Sequence, residues 1–302
     1  MTSPAYRGST YSASIVETVV GQLPATPNFT YLGATDNTLD FDQDSSVDPR
    51  VHADGQARFV AYGNQKLAGD LTGPIVFGMW DHYKESALQG KITSKVLKIG
   101  TQNTTMSVER GYTNANQFHL MKGVQVDKME VTAGLTGEAE IKFSCVYRSF
   151  TQSGTTNSAS AITDTVTLQP MKSQGGYFKI GGATNAFVQS VQLTTDRGLA
   201  GVFGFGNPAP IDYASTSISV TGQVTVLFTD DTQLAKYRSG TTDTLEFQIA
   251  DNSGNTYTYH MGSVYYTAAP TSMGSSAAVP ITLSFTAVYN AADASALVIT
   301  TS

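Results

Sequence analysis

The chain has 302 residues, of which 40% are hydrophobic and only 14% charged, with a formal net charge of −6 and one cysteine, Cys145. Length of this order suggests two domains of roughly 150 residues each. The acidic balance excludes a basic cradle for nucleic acid, and a lone cysteine excludes an internal disulfide or a cysteine-based zinc site.

Charged residues fall well below the ~25% of an average soluble domain. Thr, Ser, Gly and Ala fill the gap, as in β-rich surfaces that pack against copies of themselves. No apolar run approaches the ~18 residues that a membrane-crossing helix needs. The opening Met1-Thr-Ser-Pro-Ala-Tyr-Arg lacks the charged and apolar segments of a secretory signal. A protein made in a cytoplasm and soluble until it meets its partners is therefore expected.

Residues 1–28 are polar and broken by Gly21, Pro24 and Pro27; Ser12 to Val20 has the composition of a short helix, but the segment reads as an N-terminal arm. A first unit, 29–150, opens with a strand from Phe29 to Leu39. The acidic run from Asp40 to Gly55 reads as a long loop. Arg58 to Gly69 and Leu71 to Phe77 read as strands, and Asp81 to Leu88 as a short helix with Asp81 as N-cap and Gly90 at its stop. Lys95 to Ile99 and Thr104 to Arg110 flank Gly100-Thr-Gln-Asn103, a hairpin signature. Phe118 to Val131 and Glu138 to Phe150 complete the unit. Residues 151–164, almost all Ser, Thr, Gly, Asn and Ala, read as a linker.

A second unit, 165–302, follows the same plan. Ser217 to Phe228 alternates, with Ile218, Val220, Val224, Val226 and Phe228 on one face and Ser219, Thr221, Gln223 and Thr225 on the other. Asp231 to Ser239 is a short helix stopped by Gly240. Leu245 to Ile249 and Thr256 to His260 flank the turn Asp251-Asn-Ser-Gly254-Asn. Pro280 to Tyr289 alternates again, with Ile281, Leu283, Phe285 and Tyr289 inward.

The parallel is written in the residues. Gly33-Ala-Thr-Asp-Asn37 returns as Gly181-Gly-Ala-Thr-Asn185, Gly69-Asp-Leu-Thr72 as Gly222-Gln-Val-Thr225, the helix stopped at Gly90 as the one stopped at Gly240, and Glu140-Ile-Lys-Phe-Ser-Cys-Val-Tyr147 as Thr282-Leu-Ser-Phe-Thr-Ala-Val-Tyr289. One order with nearly constant offsets points to a duplicated domain. The fold class is all-β, a tandem of β-sandwiches with one short helix per unit.

Chemistry-bearing patterns are weak. His52, His82, His119 and His260 show no metal-ligand spacing. Asp40, Asp42 and Asp44 alternate as in a calcium loop, but Ser45 stands where the loop needs Gly and Val51 where it needs Glu, so a solvated acidic loop is the reading. Gly201-Val-Phe-Gly-Phe-Gly206 is followed by Pro208 and Pro210, not by the helix a phosphate cradle requires; it reads as a loop packed against a neighbour. Cys145 reads as a buried, inert thiol, and Trp80 as a core or interface anchor. No nucleophile elbow or Cys/His pair appears, and neither a catalytic residue, a metal nor a cofactor is implied. Above background stand the alternating strands, with Glu138, Glu140, Lys142 and Ser144 sharing a wet face and Thr282, Ser284 and Thr286 its counterpart. Such faces suit an ordinary sheet with one wet side, or the lining of a channel shared between subunits.

At these anchors, and at the closing strand from Ile281 followed by Leu297-Val-Ile299, the chain resembles the major tail tube proteins of long flexible-tailed bacteriophages. The resemblance implies a virion structural protein, assembled in the host cytoplasm, whose β-sandwiches form rings with their inner sheets joined in one β-barrel. With two fused units, three chains would close a pseudo-sixfold ring, and stacked rings would carry double-stranded DNA during ejection without binding it specifically. Partners would be other copies of the chain and tape-measure, tail-tip and tail-terminator proteins, with no membrane insertion. On this reading Glu138, Glu140, Ser144, Gln223, Thr225, Thr282, Ser284 and Thr286 face the lumen, with Lys142 and Arg148 adding positive charge to the same face. The acidic stretch with Asp40, Asp42, Asp44, Asp48, Arg50 and Asp54, and the arm, make contacts between rings. The alternatives are a secreted carbohydrate-binding or adhesin module, which predicts an aromatic patch, and a hydrolase, which predicts carboxylates converging in a cleft.

Overall fold

Polar–apolar alternation, with Gly and Asn at the breaks, commits most of the chain to antiparallel strands. The computed structural model describes residues 11–50, 53–162, 169–227, 232–268 and 280–302. In chain order these form β1 (Tyr11–Val16), β2 (Thr30–Leu32), β3 (Asp36–Asn37), β4 (Asp40–Val47), β5 (Val60–Pro74), α1 (Asp81–Leu88), β6 (Val96–Lys98), β7 (Met106–Tyr112), β8 (Gln117–Gly134), β9 (Glu140–Val146) and β10 (Ser149–Ser153). There follow β11 (Phe178–Ile180), β12 (Ala183–Thr184), β13 (Val188–Asp196), β14 (Ala200–Val202), β15 (Asp212–Ala214), β16 (Ser219–Leu227), α2 (Thr232–Ser239), β17 (Asp243–Ala250), β18 (Thr256–Ala268), β19 (Pro280–Ala287) and β20 (Val298–Thr301). The fold is all-β, with two α-helices among the described residues.

One layer runs β4–β5–β9–β8–β13–β16–β19–β18 through antiparallel pairings alone. The long strands β8 and β18 serve both layers. The beginning of β8 pairs with β7 and β10, and its end with β9 and β13. The beginning of β18 pairs with β17 and β20, and its end with β19. Each strand bends where it changes layer, and each bend is a bulge: between Val126 and Lys128 against β9, and between Tyr266 and Ala268 against β19. An unpaired extra residue raises the local twist and lets a strand turn a corner. On the second layer Tyr11 donates from its hydroxyl to Glu109 at 2.6 Å, and Tyr177 to Glu246 at 2.8 Å, each glutamate lying one residue past a ladder irregularity.

Side chains between the layers form one apolar cluster that draws on both halves of the chain, including Leu71, Met129, Phe143, Leu193, Val224, Leu245 and Phe285. Each such burial is worth about 1.5–3 kcal/mol. Helix α1 lies inside it, with every residue from Tyr83 to Leu88 buried. Trp80 packs edge-on to Tyr83 at 5.5 Å and donates through Nε1 to the Pro74 carbonyl at 2.9 Å, so it is a core anchor. The second half closes over the helix: Arg197 Nη1 donates to the carbonyls of Ser86 (2.9 Å) and Val126 (3.0 Å), and the Tyr257 hydroxyl to Asp81 at 2.5 Å. Cys145 is buried, and burial pushes its thiol pKa up.

The structure departs from the sequence reading in places. Tyr11–Val16 is no free arm; it pairs with both β2 and β7, and Glu17 behind it accepts from the Thr105 and Ser107 hydroxyls and the Gly123 amide. The acidic run from Asp40 is the strand β4, held by backbone pairing with β5 and exposed on both faces at most positions, so no burial pattern betrays it. Trp80, not Asp81, occupies the N-cap and no side chain caps it; the Asp81 carboxylate is engaged by Tyr257. At the other end Gln89 takes the left-handed conformation (φ 49°), whereas Gly90 is required because a Cβ there would strike the Lys98 carbonyl. Residues 95–110 form no hairpin. β6 pairs with β20, and the intervening Gly100 and Gln102 amides donate to the carbonyls of Leu88 and Gln89, closing the helix end. The first residues of the expected linker, Thr151–Ser153, belong instead to β10, which pairs with β8. Tyr289 lies beyond β19 and is exposed. The β17–β18 hairpin is as read, with Ala250 facing Thr256. Val51, His52, Phe228, Asp231, residues 1–10 and the last two residues of the expected linker, 163–164, lie outside the described residues.

Lys84 is fully buried, its Nζ 3.3 Å from Asp81 and 3.1 Å above the Tyr257 ring. Burial lowers its pKa from 10.5 to about 8, with Asp81 opposing the shift. A folded-state pKa below the unfolded one penalises the protonated form, so this group adds stability as pH rises from 8 towards 10.5. Above about pH 9.5 the buried hydroxyls of Tyr83, Tyr257 and Tyr259, all shifted upward by burial, begin to act the other way. Urea unfolding of the unassembled chain at pH 7.5 and 9.5 is expected to show a gain on the order of 1–2 kcal/mol from this group, which Lys84→Met removes.

Candidate functional site: a continuous polar sheet face

Strand alternation gives the long layer one apolar and one wet face. Leu71, Ile141, Phe143, Met129, Val131, Leu193, Val224, Leu283 and Phe285 are buried on the inner face. The residues between them point outward and line up across the strands. One row runs Thr72–Lys142–Glu130–Thr194–Thr221–Thr286 across β5, β9, β8, β13, β16 and β19. The next runs Glu140–Thr132–Gln192–Gln223–Ser284, and a third Asp70–Ser144–Lys128–Asp196–Ser219. No row breaks where the first half of the chain gives way to the second. There β8 and β13 pair from Ser190↔Gly134 to Asp196↔Lys128.

The repeated Gly-x-x-Thr phrases find their use here. Gly69 and Gly222 occupy inward positions where the neighbouring strand crosses closely: a Cβ on Gly69 would strike the Thr38 carbonyl, and one on Gly222 the Gln192 carbonyl and the Phe285 ring. The repeated asparagines set matching turns, Asn37 accepting from the Leu39 amide at 3.1 Å and Asn185 from the Phe187 amide at 2.9 Å.

Carboxylates outnumber lysines on the face, and the lysines are paired. Lys142 meets Asp70 at 2.8 Å and Lys128 meets Asp196 at 3.0 Å. Burial works to raise the Asp70 carboxyl, but hydrogen bonds from Lys142 and Ser144 outweigh it and hold its pKa below the ordinary value. Glu130 accepts from Gln192 Nε2 at 2.5 Å, and Glu140 stands exposed. The surface therefore offers hydroxyls, amides and uncompensated negative charge.

Seven of the sequence-predicted wet-face residues, Glu140, Ser144, Gln223, Thr225, Thr282, Ser284 and Thr286, lie on this face, with Thr225 and Thr282 oxygens 3.2 Å apart. Glu138 is exposed but precedes β9, off the ladder. Lys142 is on the face, whereas Arg148 follows β9 and is ion-paired with Asp212. Reasoning from the sequence missed Glu130, Thr132, Gln192, Thr194 and Asp196. Strand β8 changes layers within its length, which blurs its period, but the alternation Val191–Leu193–Thr195 was there to find.

The acidic group sits elsewhere, along β4 and the turn beyond it. Asp40 lies 3.9 Å from Arg110, Asp44 pairs with Lys66 at 3.1 Å, Asp48 with Arg50 at 2.9 Å, and Asp54 with Arg58 at 2.8 Å, while Asp42 is exposed. Strand geometry spreads Asp40, Asp42 and Asp44 along one edge, and among the described residues no group of His, Cys, Asp and Glu could hold a metal. An apolar groove of about 340 Å³ lies against the β8–β13 joint, lined by Ala133, Leu135, Phe178, Val188 and Phe247 and bearing no carboxylate or imidazole. A family model described as phage tail tube protein matches residues 9–287. No curated protein matches the chain.

Gly222→Ala is expected to cost on the order of 2–3 kcal/mol by overpacking against Gln192 and Phe285. Gly63→Ala, where a Cβ meets only Asp44 at ordinary contact distance, is expected to stay within about 0.5 kcal/mol. Urea midpoints of the two variants check the contrast.

Proposed function

This chain belongs to the phage tail tube protein family, a structural component of the virion that assembles with itself into a tube, and we propose that it forms rings whose wall towards the lumen is the polar face described above. The observation that carries the reading is the pairing of β8 with β13, which makes one unbroken wet sheet from two halves. The same joint made between chains would extend the sheet around a ring. At one end of the layer β4 pairs with β5 alone among the described strands, and at the other the end of β18 pairs with β19. Such edges are templates for further pairing, and a head-to-tail contact that closes removes them.

The matched bulges of β8 and β18 and the paired Tyr–Glu bonds support reading the chain as two fused copies of one unit, so that three chains would supply a pseudo-sixfold ring. Stacked rings would make the conduit for the genome. A wall of hydroxyls and spare carboxylates repels phosphate and lacks the unpaired Lys and Arg whose counterion release would hold DNA. Asp48, Arg50 and Asp54, which follow β4, are assigned on this reading to the contact with the next ring.

Negative-stain images of purified assemblies are expected to show rings or tubes of threefold or sixfold symmetry; a stable monomer at high concentration would overturn the reading. Replacing both Glu130 and Glu140 by Arg is expected to leave tubes intact and slow genome ejection severalfold at low salt, by adding phosphate contacts. Ejection timed on mutant particles, at two ionic strengths, checks it.

A further inference from the structure

The joint between the halves consists of more than strand pairing. The connection from β13 to β16 is drawn out into the β14–β15 hairpin, which reaches back over the first half. The Pro208 carbonyl accepts from the Gln65 amide at 2.8 Å, the Tyr213 hydroxyl donates to the Tyr147 carbonyl at 2.9 Å, and Asp212 is ion-paired with Arg148. In the corresponding place of the first half, the end of β4 and the beginning of β5 pair as a two-stranded ribbon exposed on both sides. Val47, Phe59, Val60 and Tyr62 stand in solvent, Tyr62 by 73%. A lone ribbon is marginal in water, and a projecting apolar one calls for cover.

The ladder registers locate the matching seat. Gln125 faces Val146 and Tyr265 faces Thr286, each just before the bulge, so by ladder register Val146 corresponds to Thr286 and Arg148 to Val288, which corrects by two residues the match of Glu140–Tyr147 with Thr282–Tyr289 read from the sequence. Ala68 faces Val146 and Thr221 faces Thr286, so Ala68 corresponds to Thr221; the same distance back along each chain segment, Phe59 corresponds to Asp212. Around that seat Val288 and Tyr289 are 37% and 67% exposed. Helix α2, the counterpart of the engulfed α1, reaches this region through its Lys236, ion-paired at 2.8 Å with Asp243, which faces Val264 and through it Ala287, and it buries only Leu234.

We propose that the seat formed by Val288 and Tyr289 beside α2 receives the β4–β5 ribbon of a second copy of this chain, with Phe59 against Val288; the proposal rests on the ring reading above and names its subunit contact. The in-chain joint is ionic at this point and the joint between copies is apolar. A ribbon placed on the first half of another copy would set Phe59 against Arg148, and a hairpin placed on the second half would bury Asp212 against Val288. Both mismatches disfavour the wrong neighbour, so the halves alternate around the ring.

The test transplants the in-chain pair. Phe59→Asp and Val288→Arg, each alone, are expected to lower the assembled fraction in sedimentation about tenfold, and the double variant to recover it to within about threefold of the parent. Thermal melting of the unassembled variants shows whether each folds. Independently, Phe59→Cys chains mixed with Val288→Cys chains are expected to give two-chain products with a short bismaleimide, and neither alone to do so, Cys145 being buried. Single variants that assemble like the parent, a double variant no better than the singles, or tubes that form yet give no mixed product would overturn the seat and leave the tube standing. A parent chain that stays monomeric would overturn the tube reading with it.

Discussion

Backbone pairing between β8 and β13 is the interaction on which the arrangement of this chain depends. Strand hydrogen bonds fix register to the residue, and a slip by one would turn every side chain to the opposite face. Because the pairing holds from Ser190 to Asp196, Thr194 stands beside Glu130 and Gln192 beside Thr132, and two wet surfaces become one. The apolar faces behind them merge for the same reason, which is why a single core cluster spans both halves.

The joint is locked by α1. Its buried residues include Lys84, Glu85 and Ser86, groups that are costly to desolvate unless satisfied. The second half supplies part of that satisfaction through Tyr257 and Arg197. Within the first half Lys91 and the Ile92 amide hold Glu85; burial works to raise its carboxyl, but these partners and His82 bring its pKa down to about 2. The shared helix thus ties the two halves together through hydrogen bonds as well as through strand pairing.

Family membership and the wet face support one another without being the same argument. The match says that the chain is a tail tube protein; the face is the surface proposed above to line the tube. On that proposal, the paired lysines and spare carboxylates of the face would meet the electrostatic requirement of a conduit, which is to avoid affinity.

Much of this was legible in the residues. The repeated phrases, the all-β class and the inward sets Val220–Val224–Val226 and Ile281–Leu283–Phe285 follow from composition and a period of two, which are local properties. The strand nature of Asp40–Val47 was not legible, because a ribbon exposed on both faces leaves no hydrophobic period, and β6 pairs with β20 across at least two hundred residues of sequence where a local hairpin looked sufficient. The sequence by itself determined that strands in both halves would present a wet face and an apolar one. Only the tertiary structure decided that those faces are coplanar and in register, since that depends on which edge strands meet, and backbone groups, identical in every residue but proline, carry no sequence label for their partners.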